Sequence, residues 1–185
     1  DGYWGAKRVA ALDSAHVAAA VAAARYPDPA VADTLIDLLL LRRERTVRHW
    51  FAQVTPVEEL RGEMVDGTGG RALVVSFRDL GLHEGLRTPE GTRYGWTARV
   101  VGGSAPSIRP AERGEGAARP GERQRIRIPL TGAGNGDEPW NIEVRILVLE
   151  RGPETEDGPR ARERRPARVV LRREGGEVEV LLLRH

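Results

Sequence analysis

Residues 141–150 read NIEVRILVLE, and their alternation decides the architecture. Glu143-Val144-Arg145-Ile146 places charged and apolar side chains at period two, the pattern of a strand with one face buried and one face wet. The same pattern recurs at Arg125-Ile126-Arg127-Ile128 and at Glu177-Val178-Glu179-Val180. Strands of this kind belong to antiparallel sheets, because strands of parallel sheets are covered on both faces and read as continuous apolar runs. Outward from this segment, RALVVSFRDL (71–80), TRYGWTARVV (92–101), RQRIRIPL (123–130), ARVVLRRE (167–174) and GEVEVLLLRH (176–185) complete a set of predicted strands. EGGE at 174–177 joins the last two as a hairpin, since paired glycines supply the positive φ angles of a tight turn. Strands with polar connections predict a β-sandwich of immunoglobulin or fibronectin-III type, with a jelly roll as the alternative.

The first 60 residues read differently. YWGAKRVAAL predicts one helix, and SAHVAAAVAAAR a second, capped by Asp13 or Ser14. Asp28 is a suitable cap for a third helix, with Pro29 at its first position, running from about residue 29 to residue 52 and stopping before Pro56. On a wheel of about 100° per residue, Ala32, Ile36, Leu39, Leu40, Val47, Trp50, Phe51 and Val54 share one side. Arg43 falls inside that apolar stripe, where a charge is costly unless paired. The expected organisation is therefore α+β: a three-helix segment over 1–60, a linker over 61–70 that includes DGTGG, and a β-sandwich over 71–185. Disordered insertions are expected near 102–122 and 152–166, where Gly, Pro and blocks of charge dominate.

Composition excludes several functions. No cysteine is present, which removes disulfides, thiolate metal sites and cysteine nucleophiles. No apolar run approaches the ~18 residues of a membrane span; LLLL at 38–41 runs directly into RRER. The basic residues are arginines except Lys7, yet the net charge is only +2, so nothing points strongly to nucleic acid. The chain opens DGYWGAKR without Met and is expected to be a portion of something longer.

A reactive centre is not expected. No serine lies in a G-x-S-x-G setting, and His16, His49, His83 and His185 show no metal-ligand spacing. Asn135, Asp137 and Glu138 could offer oxygens to calcium, but a plain turn is the preferred reading. Neither a catalytic residue, a metal ligand nor a cofactor is assigned. The candidate binding residues are Arg43, His49 and Trp50 on the third helix, with Trp96 and Trp140 on strands, where an exposed pair would suit stacking on sugar rings. Arg43 and His49 with a carboxylate such as Glu59 form the alternative, one wall of an enzyme's pocket that lies mainly in a preceding N-terminal portion.

YWGAKRV, RYPDPAVADTLIDLLLLRRERTVRHWF and VTPVEEL, spanning about residues 3–60, resemble a segment of long, uncharacterised bacterial proteins. There a Trp-Gly/Ala-Ala-Lys/Arg helix precedes a Tyr-Ser-Asp-Pro element and an Arg-Arg-Asp-Lys helix. This chain departs from the pattern at Pro27 and at Arg43-Glu44-Arg45. The segment is similarly followed there by a β-rich end closing on an Arg after apolar residues, as LLLRH does here. The resemblance implies the C-terminal part of a larger, exported bacterial protein and carries over no catalytic residue. The expected function is a non-catalytic interaction region whose third helix docks on other parts of its own polypeptide or on another protein.

Overall fold

The computed structural model describes residues 2–66, 70–103, 112–121, 123–130, 139–150 and 164–185. Its chain divides into two compact units, residues 1–53 and 54–185.

The first unit is helical: α1 (Gly2–Ala10), α2 (Ser14–Ala23) and α3 (Pro29–Phe51). Each start has a local cause. Asp13 caps α2 by accepting from the His16 backbone N–H at 2.8 Å, and Asp28 caps α3 by accepting from Ala30 N–H at 2.9 Å, with Pro29 in the first turn. α2 ends through Arg25, whose φ of 52° is the left-handed conformation that commonly closes a helix. The buried apolar residues of this unit are Ala6, Val21, Val47 and Phe51, with the Tyr3 ring 5.6 Å from Phe51. The buried stripe therefore lies toward the C-terminal end of α3. Leu39 and Trp50, assigned to the same stripe by the wheel, are exposed.

The second unit holds β1 (Val57–Val65), β2 (Ala72–Asp79), the short α4 (Leu80–His83), β3 (Thr92–Gly103), β4 (Glu112–Ala117), β5 (Gln124–Pro129), β6 (Trp140–Glu150), β7 (Ala167–Glu174) and β8 (Glu177–Arg184). Two antiparallel sheets form, neither of them closed: β1-β2-β5, and β4-β3-β6-β7-β8. With α1, α2 and α3 in the first unit and the strands, with only the short α4 among them, in the second, the chain is α+β. Both sheets send alternate side chains into one core. Leu73, Val75 and Phe77 come from β2, Ile126 and Ile128 from β5, Tyr94, Trp96 and Ala98 from β3, Ile142, Val144 and Ile146 from β6, and Val169 and Leu171 from β7. The sheets approach closely at Gly62, where a Cβ would lie 2.4 Å from Val178 Cγ1 and 2.8 Å from Leu171 Cδ2. The β7–β8 hairpin turns at Gly175 (φ 58°) and Gly176 (φ 90°), with Glu174 opposite Glu177.

Two strands lie where none was expected. β1 occupies residues assigned to the end of the helical segment and to the linker. Its register shifts between Glu58 and Arg61, and Glu59 has a φ of 52°. This bulge changes the phase of the strand. Val57 faces the core ahead of it, and Leu60 and Met64 pack against the core beyond it. The resulting spacing of three and then four is helical, although the backbone is extended. β4, ERGEGA, lies within the expected insertion 102–122 and has almost no apolar residue; it pairs with β3 from Arg93↔Ala117 to Ala98↔Glu112. Of the second expected insertion, residues 152–163 lie outside the described residues, and Arg165 bridges to Val54. The residues read as a calcium alternative, Asn135, Asp137 and Glu138, also lie outside them, as do residues 67–69 of the glycine-rich run.

Candidate functional site

Helix α3 carries the first cluster. Arg43 does not project to solvent: its Nε donates to the Leu12 carbonyl at 2.6 Å, and its Nη2 to the Ala10 carbonyl at 2.5 Å. These carbonyls belong to the end of α1, where backbone acceptors lack helical partners and a cation is favoured. Arg43 is thus a helix cap supplied from across the unit, which explains a charge in an apolar stripe. Beside it opens a groove of about 360 Å³, whose lining includes Val9, Leu12, His16, Val17, Leu39 and Arg42, with Arg43 itself. The groove is mostly apolar. Leu12, Val31, Leu38, Leu39 and Leu41 are all exposed on this unit. His16 is tied to Asp13 through Nδ1 at 2.7 Å, and His16's backbone and side-chain hydrogen bonds hold the Asp13 carboxyl below the usual range.

His49 and Trp50 are exposed, ring against ring edge at 5.1 Å. Trp50 also covers Gly2, where a Cβ would come within 2.4 Å of the indole. Glu59, the carboxylate considered with Arg43 and His49, belongs to the second unit. Its side chain accepts from Arg78 at 3.0 Å and from Arg123 at 3.1 Å, and its backbone carbonyl accepts from Arg123 at 2.9 Å. These bonds hold the strained bulge in place. Arg78 also meets His83 at 2.8 Å.

The two strand tryptophans belong to the core. Trp96 is 8% exposed and Trp140 2%. Stacking on a sugar needs an open aromatic face, and neither residue offers one. Their assignment as binding residues is corrected accordingly: both point inward because they occupy the even, core-facing positions of β3 and β6.

Two polar clusters in the β unit were not singled out by sequence. Asp79 is buried and fully engaged. It caps α4 through Gly81 N–H at 2.8 Å, accepts from the Tyr94 hydroxyl at 2.7 Å, and forms an ion pair with Arg87. Burial, reinforced by the Asp79 charge, pushes the Tyr94 hydroxyl far above the ordinary tyrosine range. This cluster seals the end of β2 and has no open face.

The second lies on the outer face of the five-stranded sheet. Glu143 is only 1% exposed, although it points away from the core. Three arginines cover it. Arg99 donates through Nε and Nη2, both at 3.1 Å, Arg145 through Nε at 3.0 Å, and Arg168 through Nε at 2.5 Å. The hydrogen bonds from Arg99, then those from Arg145 and Arg168, hold the Glu143 carboxyl at about 2 against the opposing effect of burial. Glu143 in turn raises the Arg99 guanidinium. Next to this cluster is a shallow dish of about 270 Å³, lined by Gly95, Trp96, Thr97, Glu115, Arg145, Leu147 and Pro166. The alternation of β6 signalled that Glu143 and Arg145 face outward; nothing local signalled which arginines would stand beside them.

Among the described residues, no group of three His, Asp or Glu side chains could hold a metal ion, and no helix is long and apolar enough to cross a membrane. Site and fold together define an α+β chain with a helical unit bearing an apolar groove and a two-sheet β unit bearing an arginine-rich face. No protein-family model and no curated protein matches the chain.

Proposed function

We propose that this chain is a non-catalytic interaction region whose helical unit binds an apolar, acid-flanked helical segment, from its own polypeptide or from another protein, in the groove beside Arg43. The observation that carries the reading is the exposure of Leu12 and Leu39 in an apolar groove, in a unit that buries few residues of its own. Exposed apolar side chains at a groove mark interaction sites, and apolar grooves receive the apolar face of a partner helix. Arg42 in the lining, with Arg45 further along α3, favours acidic flanks on the occupant.

Within the same reading, the β unit is a scaffold of fibronectin-III type. Naming its first seven strands A, B, C, C′, E, F and G in chain order turns the two sheets into A-B-E and C′-C-F-G, with β8 added at the edge. The buried Trp96 on β3 agrees with the buried strand-C tryptophan of immunoglobulin-like sandwiches, although no disulfide accompanies it.

A photo-crosslinking residue placed at Leu39 in the protein expressed in its own cells tests the docking reading. One dominant crosslinked peptide is expected, apolar with acidic flanks, and its yield falls when Leu12→Glu is added. Absence of a defined crosslink, or turnover of a substrate that depends on one polar side chain of this chain, overturns it.

A further inference from the structure

Cross-strand register stacks arginines where a sheet ordinarily separates them. Arg145 on β6 lies directly opposite Arg168 on β7, and Arg168 directly opposite Arg184 on β8. Like charges in directly opposed positions are destabilising. On the adjacent row, Arg99 on β3 stands opposite Glu143 on β6. Glu143 is the carboxylate that Arg99, Arg145 and Arg168 share. Counting Arg99, Arg145, Arg168 and Arg184 against Glu143, the patch keeps three positive charges in excess. Glu143 orients the guanidiniums without neutralising them. Arg145 reaches it through Nε, and its two Nη groups have no partner among the described residues. That leaves a fork of the geometry that receives an oxoanion in bidentate fashion.

The neighbouring dish adds a second element. Thr97 is opposite Arg145, and on the next row Gly95 is opposite Leu147, so the floor of the sheet drops beside the arginine. The Cβ missing at Gly95 would fall within ordinary contact of Leu149 Cδ1, at 3.4 Å, which places the gap on the outer face. Leu147 and Pro166 form apolar walls. Glu115, the acidic residue of the lining, lies 3.6 Å from Arg93 and is paired with it.

We infer that this face binds a small amphipathic oxoanion, with its carboxylate or phosphate group on the open Arg145 fork and its short apolar body in the dish over Gly95 and Leu147. The charge excess supplies attraction, Glu143 supplies preorganisation, and the glycine supplies room. This inference is independent of the docking groove on the helical unit.

The test is titration calorimetry on the whole chain with octanoate, octyl phosphate, inorganic phosphate and octanol as probes. Octanoate or octyl phosphate is expected to bind about tenfold or more tightly than inorganic phosphate, with no detectable binding of octanol. The stronger of the two names the headgroup. Arg145→Gln is expected to weaken both amphipathic anions about tenfold, because Glu143 keeps Arg99 and Arg168 and the fold is preserved. Gly95→Val fills the floor at a position where a strand tolerates a β-branched residue, and is expected to abolish the gain over inorganic phosphate while leaving phosphate binding unchanged. Thermal melts of both variants confirm folding. Equal affinity for both amphipathic anions and inorganic phosphate, binding of octanol, or unchanged binding of the amphipathic anions in either folded variant overturns the inference.

Discussion

The two units handle apolar surface in opposite ways. The β unit closes two sheets on a shared core, in which Leu73, Val75, Phe77, Ile128, Ile142, Val144, Ile146 and Val169 are inaccessible to solvent. The helical unit buries Ala6, Val21, Val47 and Phe51, while Val31, Leu38, Leu39 and Leu41 of α3 remain in water. Size accounts for part of the difference, since short helices enclose little volume and small units bury a smaller fraction of their surface. Side-chain choice accounts for the rest. The alanine-rich α2 allows close approach but offers little area, so Val31, Leu38, Leu39 and Leu41 of α3 keep much of their surface in water. A sheet strand divides its side chains cleanly between two faces; a helix as apolar as residues 35–41 must leave some of them outside.

Three experiments press on this contrast. The largest effect is expected from Phe77→Ala in the core, a loss of about 3–5 kcal/mol, set against a change within about 0.5 kcal/mol for Leu38→Ala. Denaturant titration of both variants measures it, and comparable losses would show that the leucine side of α3 is needed for folding. Next is Glu143→Gln, which leaves three clustered arginines without their counter-charge and is expected to cost about 2 kcal/mol. The sign with pH follows from the lowered carboxyl. Its contribution is fully present above the unfolded-state value near 4.5 and is lost as pH falls from there toward about 2. The difference between parent and variant in chemical-denaturation midpoint is therefore expected to narrow across that window and to be constant at neutral pH. The smallest effect is expected from Arg43→Met, about 1 kcal/mol, because the side chain keeps its apolar stem while the Ala10 and Leu12 carbonyls turn to water. Hydrogen exchange at the end of α1 should rise in this variant while the β unit is unchanged.

Much of the architecture was legible in the chain. Asp13, Asp28 and Pro29 mark helix starts through bonds made within a few residues. The predicted strands at 71–80, 92–101, 123–130, 141–150, 167–174 and 176–185 correspond to β2, β3, β5, β6, β7 and β8, and EGGE forms its turn. β1 was hidden because the bulge at Glu59 gives its inward residues helical spacing. β4 was hidden because ERGEGA carries no period at all and owes its extended form to the edge of β3. The candidate site was less legible. Arg43 was found as an anomaly and turned out to be a cap, whereas Trp96 and Trp140 were chosen for their chemistry although their strand phase already placed them inward.

Taken alone, the sequence determined what depends on neighbours along the chain: helix caps, turn glycines and which side of a regular strand is apolar. Tertiary structure decided what depends on partners distant in sequence: the phase of a bulged strand, the existence of an edge strand, the carbonyls that Arg43 reaches, and the register that sets Arg145 beside Arg168 and Arg184. The division is physical. Local pattern follows from backbone geometry over a few residues, while opposition across strands is set by main-chain ladders between segments tens of residues apart, whose side chains carry no mark of whom they will face.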